Sequence, residues 1–137
     1  MADSWIVSYN TKNFDLVSFL QDHDSFVMKK TRSLQRGDVV YLYIAKPYGC
    51  VLYRCLVTDD HVGEEKLAEN RYAIEKYASH KMSYMELSVE FRFSGKGMTF
   101  SFLRDNGVGQ LLNPSRLDQS TLNAISRIRQ QEGDFDA

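Results

Sequence analysis

Little in this sequence points to catalysis, to a membrane or to an oxidising compartment. It holds two cysteines, two prolines and three histidines in 137 residues. Cys50 and Cys55 fall on one predicted strand, on opposite faces of it, so a bridge between them would break that strand. They read as small reduced thiols in a core or at its edge. His23, His61 and His80 lack ligand spacing to one another or to the cysteines, so no metal site is predicted. The chain opens Met1-Ala2-Asp3 without a basic segment leading into an apolar one, and no apolar run is long enough to span a bilayer. A cytoplasmic protein with no membrane partner is the expectation. Repeats, low-complexity tracts and Pro/Gly/Ser linkers are also missing. One domain over residues 1–137 is therefore predicted, with Glu132–Ala137 as a flexible tail.

Catalytic constellations are equally scarce. A nucleophilic triad needs a base within reach of a Ser or Cys and an acid behind it, and no nucleophile elbow is present. Metal-dependent nucleases need clustered carboxylates, often with a nearby Lys. Asp59-Asp60 is the best acidic pair, but Met85-Glu86-Leu87-Ser88 carries Ser88 where such a motif would want Lys. Gly107-Val108-Gly109 lacks the third glycine and the Lys of a phosphate loop. An enzyme is not expected, and no cofactor is implied.

What the chain does have is apolar and aromatic side chains, at 43% and 12%. Arg36-Gly37-Asp38 leads into Val39–Val57, which reads as two long strands joined by a turn carrying Lys46, Pro47, Tyr48 and Gly49. Val39, Tyr41, Tyr43 and Ala45 take one parity, Val40, Leu42 and Ile44 the other. Both faces are apolar, as in a strand closed into a small barrel. Upstream, Ser4–Tyr9 alternates as a strand, and Asp15 is placed to cap a short helix over Leu16–Gln21. Phe26-Val27-Met28 is a short extended segment, and Lys66–Ala78 has a helical tendency. Met82–Phe93 is a strong strand with Met85, Leu87, Val89, Phe91 and Phe93 on one face. A capped helix over Thr99–Asn106 stops at Gly107, and Asp118 caps a last helix striped by Leu122, Ile125 and Ile128. The sum is an α+β domain on a curled sheet of about five strands.

Net charge is −1, yet the charges are unevenly placed. Lys29, Lys30, Arg32 and Arg36 form a run without acids, followed by an acidic span from Asp59 to Glu75 and a basic final third. Such polarity is compatible with one-sided binding of a polyanion and equally with a mixed solvated surface. Trp5, Tyr9, Phe14, Phe26, Tyr43 and Tyr48 fall near strand ends or turns. Each either packs in the core or offers a π face for a flat base, a contact worth about 1–3 kcal/mol. Lys46 and the basic run would then meet phosphates.

Several segments resemble the EVE branch of the PUA-like superfamily, similar in fold to YTH and ASCH domains. They are Ser4-Trp5-Ile6-Val7, Phe14-Asp15-Leu16-Val17, Gly37-Asp38-Val39-Val40-Tyr41-Leu42-Tyr43 and the Lys46-Pro47-Tyr48 turn. Met85-Glu86-Leu87, Asn106-Gly107 and Asn113-Pro114-Ser115-Arg116 continue the order, so the resemblance runs from Trp5 to about Ile128. It implies a PUA-like partial β-barrel of about five to six strands with short flanking helices. It also implies a non-catalytic pocket for a modified base, methylated for instance, flipped from a duplex or taken from a single strand. Trp5, Ser8, Tyr9 and Asn10 match one wall of that pocket, and Phe26 stands where many relatives place a Trp. Tyr43, Lys46 and Tyr48 match the third side and its rim, with Lys29, Lys30, Arg32 and Arg116 as phosphate contacts. Asp15 either caps its helix or points at the ligand.

The expected role is the DNA specificity module of a modification-dependent restriction or defence system of the McrBC kind. A fused or separate nuclease or AAA+ motor would be its effector. An RNA-binding PUA-like module is the alternative within the same fold, because recognition of the 2′-OH leaves no mark on composition. A protein- or small-molecule-binding domain with the pocket reused is the alternative from another class.

Overall fold

The computed structural model describes residues 2–12, 14–30, 33–63 and 83–136, with side chains as far as Gly133. The predicted helix Lys66–Ala78 and the predicted phosphate contact Arg32 lie outside the described residues. Along the chain come β1 (Ser4–Tyr9), α1 (Leu16–Phe19), β2 (Ser25–Lys29), β3 (Val39–Ile44), β4 (Cys50–Asp59), β5 (Tyr84–Arg92), α2 (Phe100–Asp105), β6 (Ser115–Arg116) and α3 (Gln119–Asp136). Among the described residues no helix is long and apolar enough to cross a membrane.

Each helix starts where a short polar side chain can take the first free amides. Asp15 accepts from the Ser18 N–H, Thr99 from the Phe102 N–H and Asp118 from the Thr121 N–H. Gly107 ends α2 with φ +102°, and a Cβ there would sit 3.1 Å from the Thr121 hydroxyl of α3. At Gly97 a Cβ would come within 2.9 Å of Ile128, so the missing side chain lets α3 close onto the turn after β5. The expected tail does not begin at Glu132. α3 continues through it to Asp136, and Glu132 is held by the Ser94 amide and hydroxyl.

The strands form one six-stranded sheet in the order β2-β5-β4-β3-β1-β6. β1 runs parallel to β3, and the other pairings are antiparallel. The sheet is open, with β2 and β6 as its edges. A parallel neighbour needs a crossover, and α1 with β2 lies in that connection.

One face curls around Trp5, Val7, Leu16, Leu20, Phe26, Leu42, Ile44, Tyr53, Met85 and Leu87. The other packs Ile6, Tyr41, Val51 and Phe93 against Leu103 of α2 and Ile125 of α3. The apolar pattern on both parities of Val39–Ile44 therefore arises from two separate cores, one of them roofed by helices. It does not require a closed barrel.

Two irregularities decide which side chain enters which core. Between β3 and β4 the register steps from Leu42↔Tyr53 to Tyr43↔Val51, leaving Leu52 as the extra residue. Between β4 and β5 it steps from Cys55↔Val89 to Arg54↔Phe91, leaving Glu90 extra. Each added residue reverses the alternation. Hence Met85, Leu87 and Val89 belong to the first core while Phe91 and Phe93 belong to the second, although all share one parity.

The same step corrects the cysteines. Cys50 opposes Ile44 and Cys55 opposes Val40, both first-core residues, so the thiols lie on one face and not on opposite faces. Both are free and buried. Burial pushes the Cys55 thiol up to about 12, and the Glu90 carboxylate adds to the rise. Thiolate, not thiol, attacks alkylating reagents, so native Cys55 should react about a thousandfold more slowly at pH 8 than in the urea-unfolded chain. Mass spectrometry of alkylated protein reads the ratio. Comparable rates would mean that β4 opens readily.

Candidate nucleic-acid interface

Several predicted pocket walls turn out to be architecture. Trp5 is 5% exposed, and its indole N–H donates to Asp38 Oδ2 at 3.2 Å. The Arg116 guanidinium lies 5.0 Å from the centre of the same ring and 3.4 Å from the Asp3 carboxylate. Trp5 is thus held at its edge and on its face by the protein itself. Asp38 is buried too, and accepts from the amides of Asp3 and Gln35 at 3.0 Å each. The Gly37-Asp38 turn is a clasp that ties the start of β3 to the start of β1. Phe26 is 1% exposed and packs inside the first core, so it offers no face to a ligand.

The remaining wall residues divide between the two faces of the sheet. Ser8 opposes Tyr43, and Tyr43 packs in the second core. Tyr9 opposes Ile44 and packs on the first. The predicted set therefore does not assemble as one pocket. Burial raises the Tyr43 phenol above its ordinary range.

A different group does converge, where β1 ends, α1 begins and the β3–β4 turn closes. Half-buried Tyr9 takes the Ala45 N–H on its carbonyl, which anchors the turn that carries Lys46 and Tyr48. The Lys46-Pro47 peptide in that turn is cis. Tyr48 is 44% exposed. Beneath the turn lies Tyr53, with the Arg92 guanidinium 5.8 Å from its ring centre. Burial pushes the Tyr53 phenol up, Arg92 pulls it back, and Tyr48, Cys55 and Asp15 stand close enough to raise it again. Arg92 is itself steered by the His23 carbonyl at 3.1 Å and the exposed Asp24 carboxylate at 3.3 Å. His23 stacks on Phe19 at 4.0 Å, and Phe14 meets Phe19 edge-on. The result is a rim of half-buried Tyr9 and exposed Tyr48 over Tyr53, which at 4% exposed belongs to the first core, with the Arg92 cation at its side.

Polar groups on the rim already have local duties. Asn10 Oδ1 accepts from the Lys12 N–H at 2.9 Å in a side-chain turn. Both oxygens of Asp15 accept from Ser18, its hydroxyl and its amide, which keeps the carboxyl below the usual range. Capping, the reading derived from the residues, is what Asp15 does.

The predicted phosphate contacts are spread across the sheet. Lys29 and Lys30 stand at the β2 edge, exposed and half-buried respectively. Arg116 sits on β6 at the opposite edge, committed to Trp5 and Asp3. Of these cations only Lys46 lies on the rim, where it is exposed.

Tyr53 and Arg92 were not singled out from the sequence. A tyrosine among the aliphatic and thiol residues of Cys50–Val57 was a usable signal for the first. Arg92 gave none, because its position depends on the bulge at Glu90.

No family model matches this sequence, and no curated protein matches it. Solved structures do. The ASCH protein from Zymomonas mobilis superposes with a TM-score of 0.64 at 8% identity, covering 92% of this chain and 95% of that one. A hypothetical protein from Leishmania major gives 0.64 at 12% identity, over 97% and 98%. Human THYN1, solved in complex with DNA containing 5-methylcytosine, gives 0.62 at 9% identity, over 93% and 98%. At such identities the likeness is one of fold: this chain is an α+β domain with the PUA-like fold, built on an open mixed sheet.

Proposed function

We propose that this chain is a non-catalytic nucleic-acid-binding module that seats a modified base against the rim formed by Tyr9 and Tyr48. The observation that carries the reading is an aromatic, cation-flanked rim on a fold shared with a protein solved on 5-methylcytosine DNA. Extracting a base costs a few kcal/mol, least from a single strand. Stacking at about 1–3 kcal/mol per base and hydrogen bonds to the base edge repay that cost. Lys46 supplies a phosphate contact on the rim, and Lys29 and Lys30 supply others at the β2 edge.

In this reading the chain works in the cytoplasm as the specificity module of a modification-dependent restriction or defence system, and a nuclease or AAA+ motor performs the cleavage. Modified DNA is favoured over RNA, because the neighbour's bound molecule is DNA.

The test is a titration of labelled duplexes and single strands carrying N6-methyladenine, 5-methylcytosine or 5-hydroxymethylcytosine, beside unmodified DNA and RNA of the same sequence. At least a tenfold preference for one modified DNA probe at fixed salt is expected. Equal, weak and salt-sensitive binding to every probe would overturn modified-base reading, and preference for an RNA probe would overturn the DNA assignment.

A further inference from the structure

The second face of the sheet carries an aromatic ladder that the rim does not use. Tyr43 meets Phe100 edge-on with ring centres 6.5 Å apart, and the Arg104 guanidinium lies 5.8 Å from the Phe100 ring centre. Phe100 opens α2 directly after its cap Thr99, and Thr99 bridges to Cys50 at the foot of the β3–β4 hairpin. Arg104 stands one helical turn on, so it shares a side of the helix with Phe100. Phe100 is 37% exposed, one of a few large apolar side chains so placed. Exposed Ser8 borders Tyr43 on the neighbouring strand.

This ladder adjoins the rim through the turn. Gly49 sits within 3.7 Å of the Tyr43 hydroxyl at its Cβ position, and the same turn presents Lys46 and Tyr48. Gly49 thus joins Tyr48 to the other side of the turn, where Tyr43, Phe100 and Arg104 stand. Neither Lys46 nor Arg104 pairs with a carboxylate among the described residues.

Resting on the reading above, we infer that Phe100 and Arg104 form a second stacking platform, which takes an unpaired nucleotide flanking the base held at the rim. A phenyl ring and a guanidinium plane both stack on a base of any identity, provided that base has left its duplex partner. Lys46, between the two platforms, meets the intervening phosphate. The preferred substrate is then unpaired around the modified base. A fully paired duplex engages the rim alone.

Three probes test this by fluorescence anisotropy: the mononucleotide of 5-methylcytosine, the same nucleotide extended by unpaired thymidines on both sides, and the extended form with its flanks base-paired. The wild type should bind the unpaired extension about tenfold tighter than the mononucleotide, and lose that gain when the flanks are paired. Phe100→Leu keeps the apolar packing of α2 and removes the π face. Arg104→Gln removes the cation from an exposed position. Each should abolish the gain, leave mononucleotide binding unchanged and melt as the wild type does. An unchanged gain in both variants would overturn the platform while leaving base reading at the rim intact. Failure of the wild type to bind any of the probes, in a titration where no modified probe is preferred either, would overturn both.

Discussion

Asp38→Ala should cost this domain about 4 kcal/mol of stability, the largest effect expected of any single change considered. The carboxylate is 5% exposed and receives the Asp3 and Gln35 amides and the Trp5 indole N–H. Alanine would leave these donors unsatisfied where water has little access, and each orphan costs about 1–3 kcal/mol. Asp38→Asn should be milder, near 2 kcal/mol, because an amide keeps one acceptor oxygen and turns an NH2 toward the remaining donor. Urea titrations read both as a lower midpoint at constant slope. A loss below about 1 kcal/mol for the alanine variant would show that the clasp between β1 and β3 is replaceable by solvent.

Tyr48→Ala should lower affinity for the preferred modified probe by about tenfold or more, with less effect on unmodified nucleic acid. The side chain is 44% exposed on the turn, so its removal should change stability by less than about 1 kcal/mol. Lys46→Ala, two positions away, should weaken modified and unmodified probes alike and reduce the salt dependence by about one phosphate contact. Opposite behaviour of the two variants separates stacking from charge. If Tyr48→Ala weakened all probes equally, Tyr48 would be a general contact, and recognition would lie deeper, at Tyr9.

Local structure was legible wherever neighbouring residues decide it. Ser4–Tyr9 is a strand with the expected bounds, and Asp15 and Asp118 cap the helices they were expected to cap. Gly107 ends α2 as expected. Position across the sheet was not legible. Alternation of side chains holds only while the register is regular, and single extra residues at Leu52 and Glu90 break it. Cys50 and Cys55 therefore came to share one face; Tyr43 and Tyr9 parted to opposite faces because the regular β1–β3 register sets Tyr9 beside Ile44 and not Tyr43.

Trp5 shows the same limit for a side chain's role. On its strand it reads first as core and second as a ligand wall, and Asp38, the partner that decides, stands 33 positions on, just before β3. The lysines of β2 and Arg116 of β6 looked like one basic surface until the strand order set them at opposite edges.

By itself, then, the sequence determined the local elements, their caps and the order of pieces characteristic of a PUA-like domain. Hydrogen bonding to near neighbours and the periodicity of apolar residues are properties of the chain at short range. Only the tertiary structure decided which aromatic rings are buried, which face each strand residue takes and which cations stand together. Those outcomes depend on register and strand order, which arise from contacts between residues tens of positions apart.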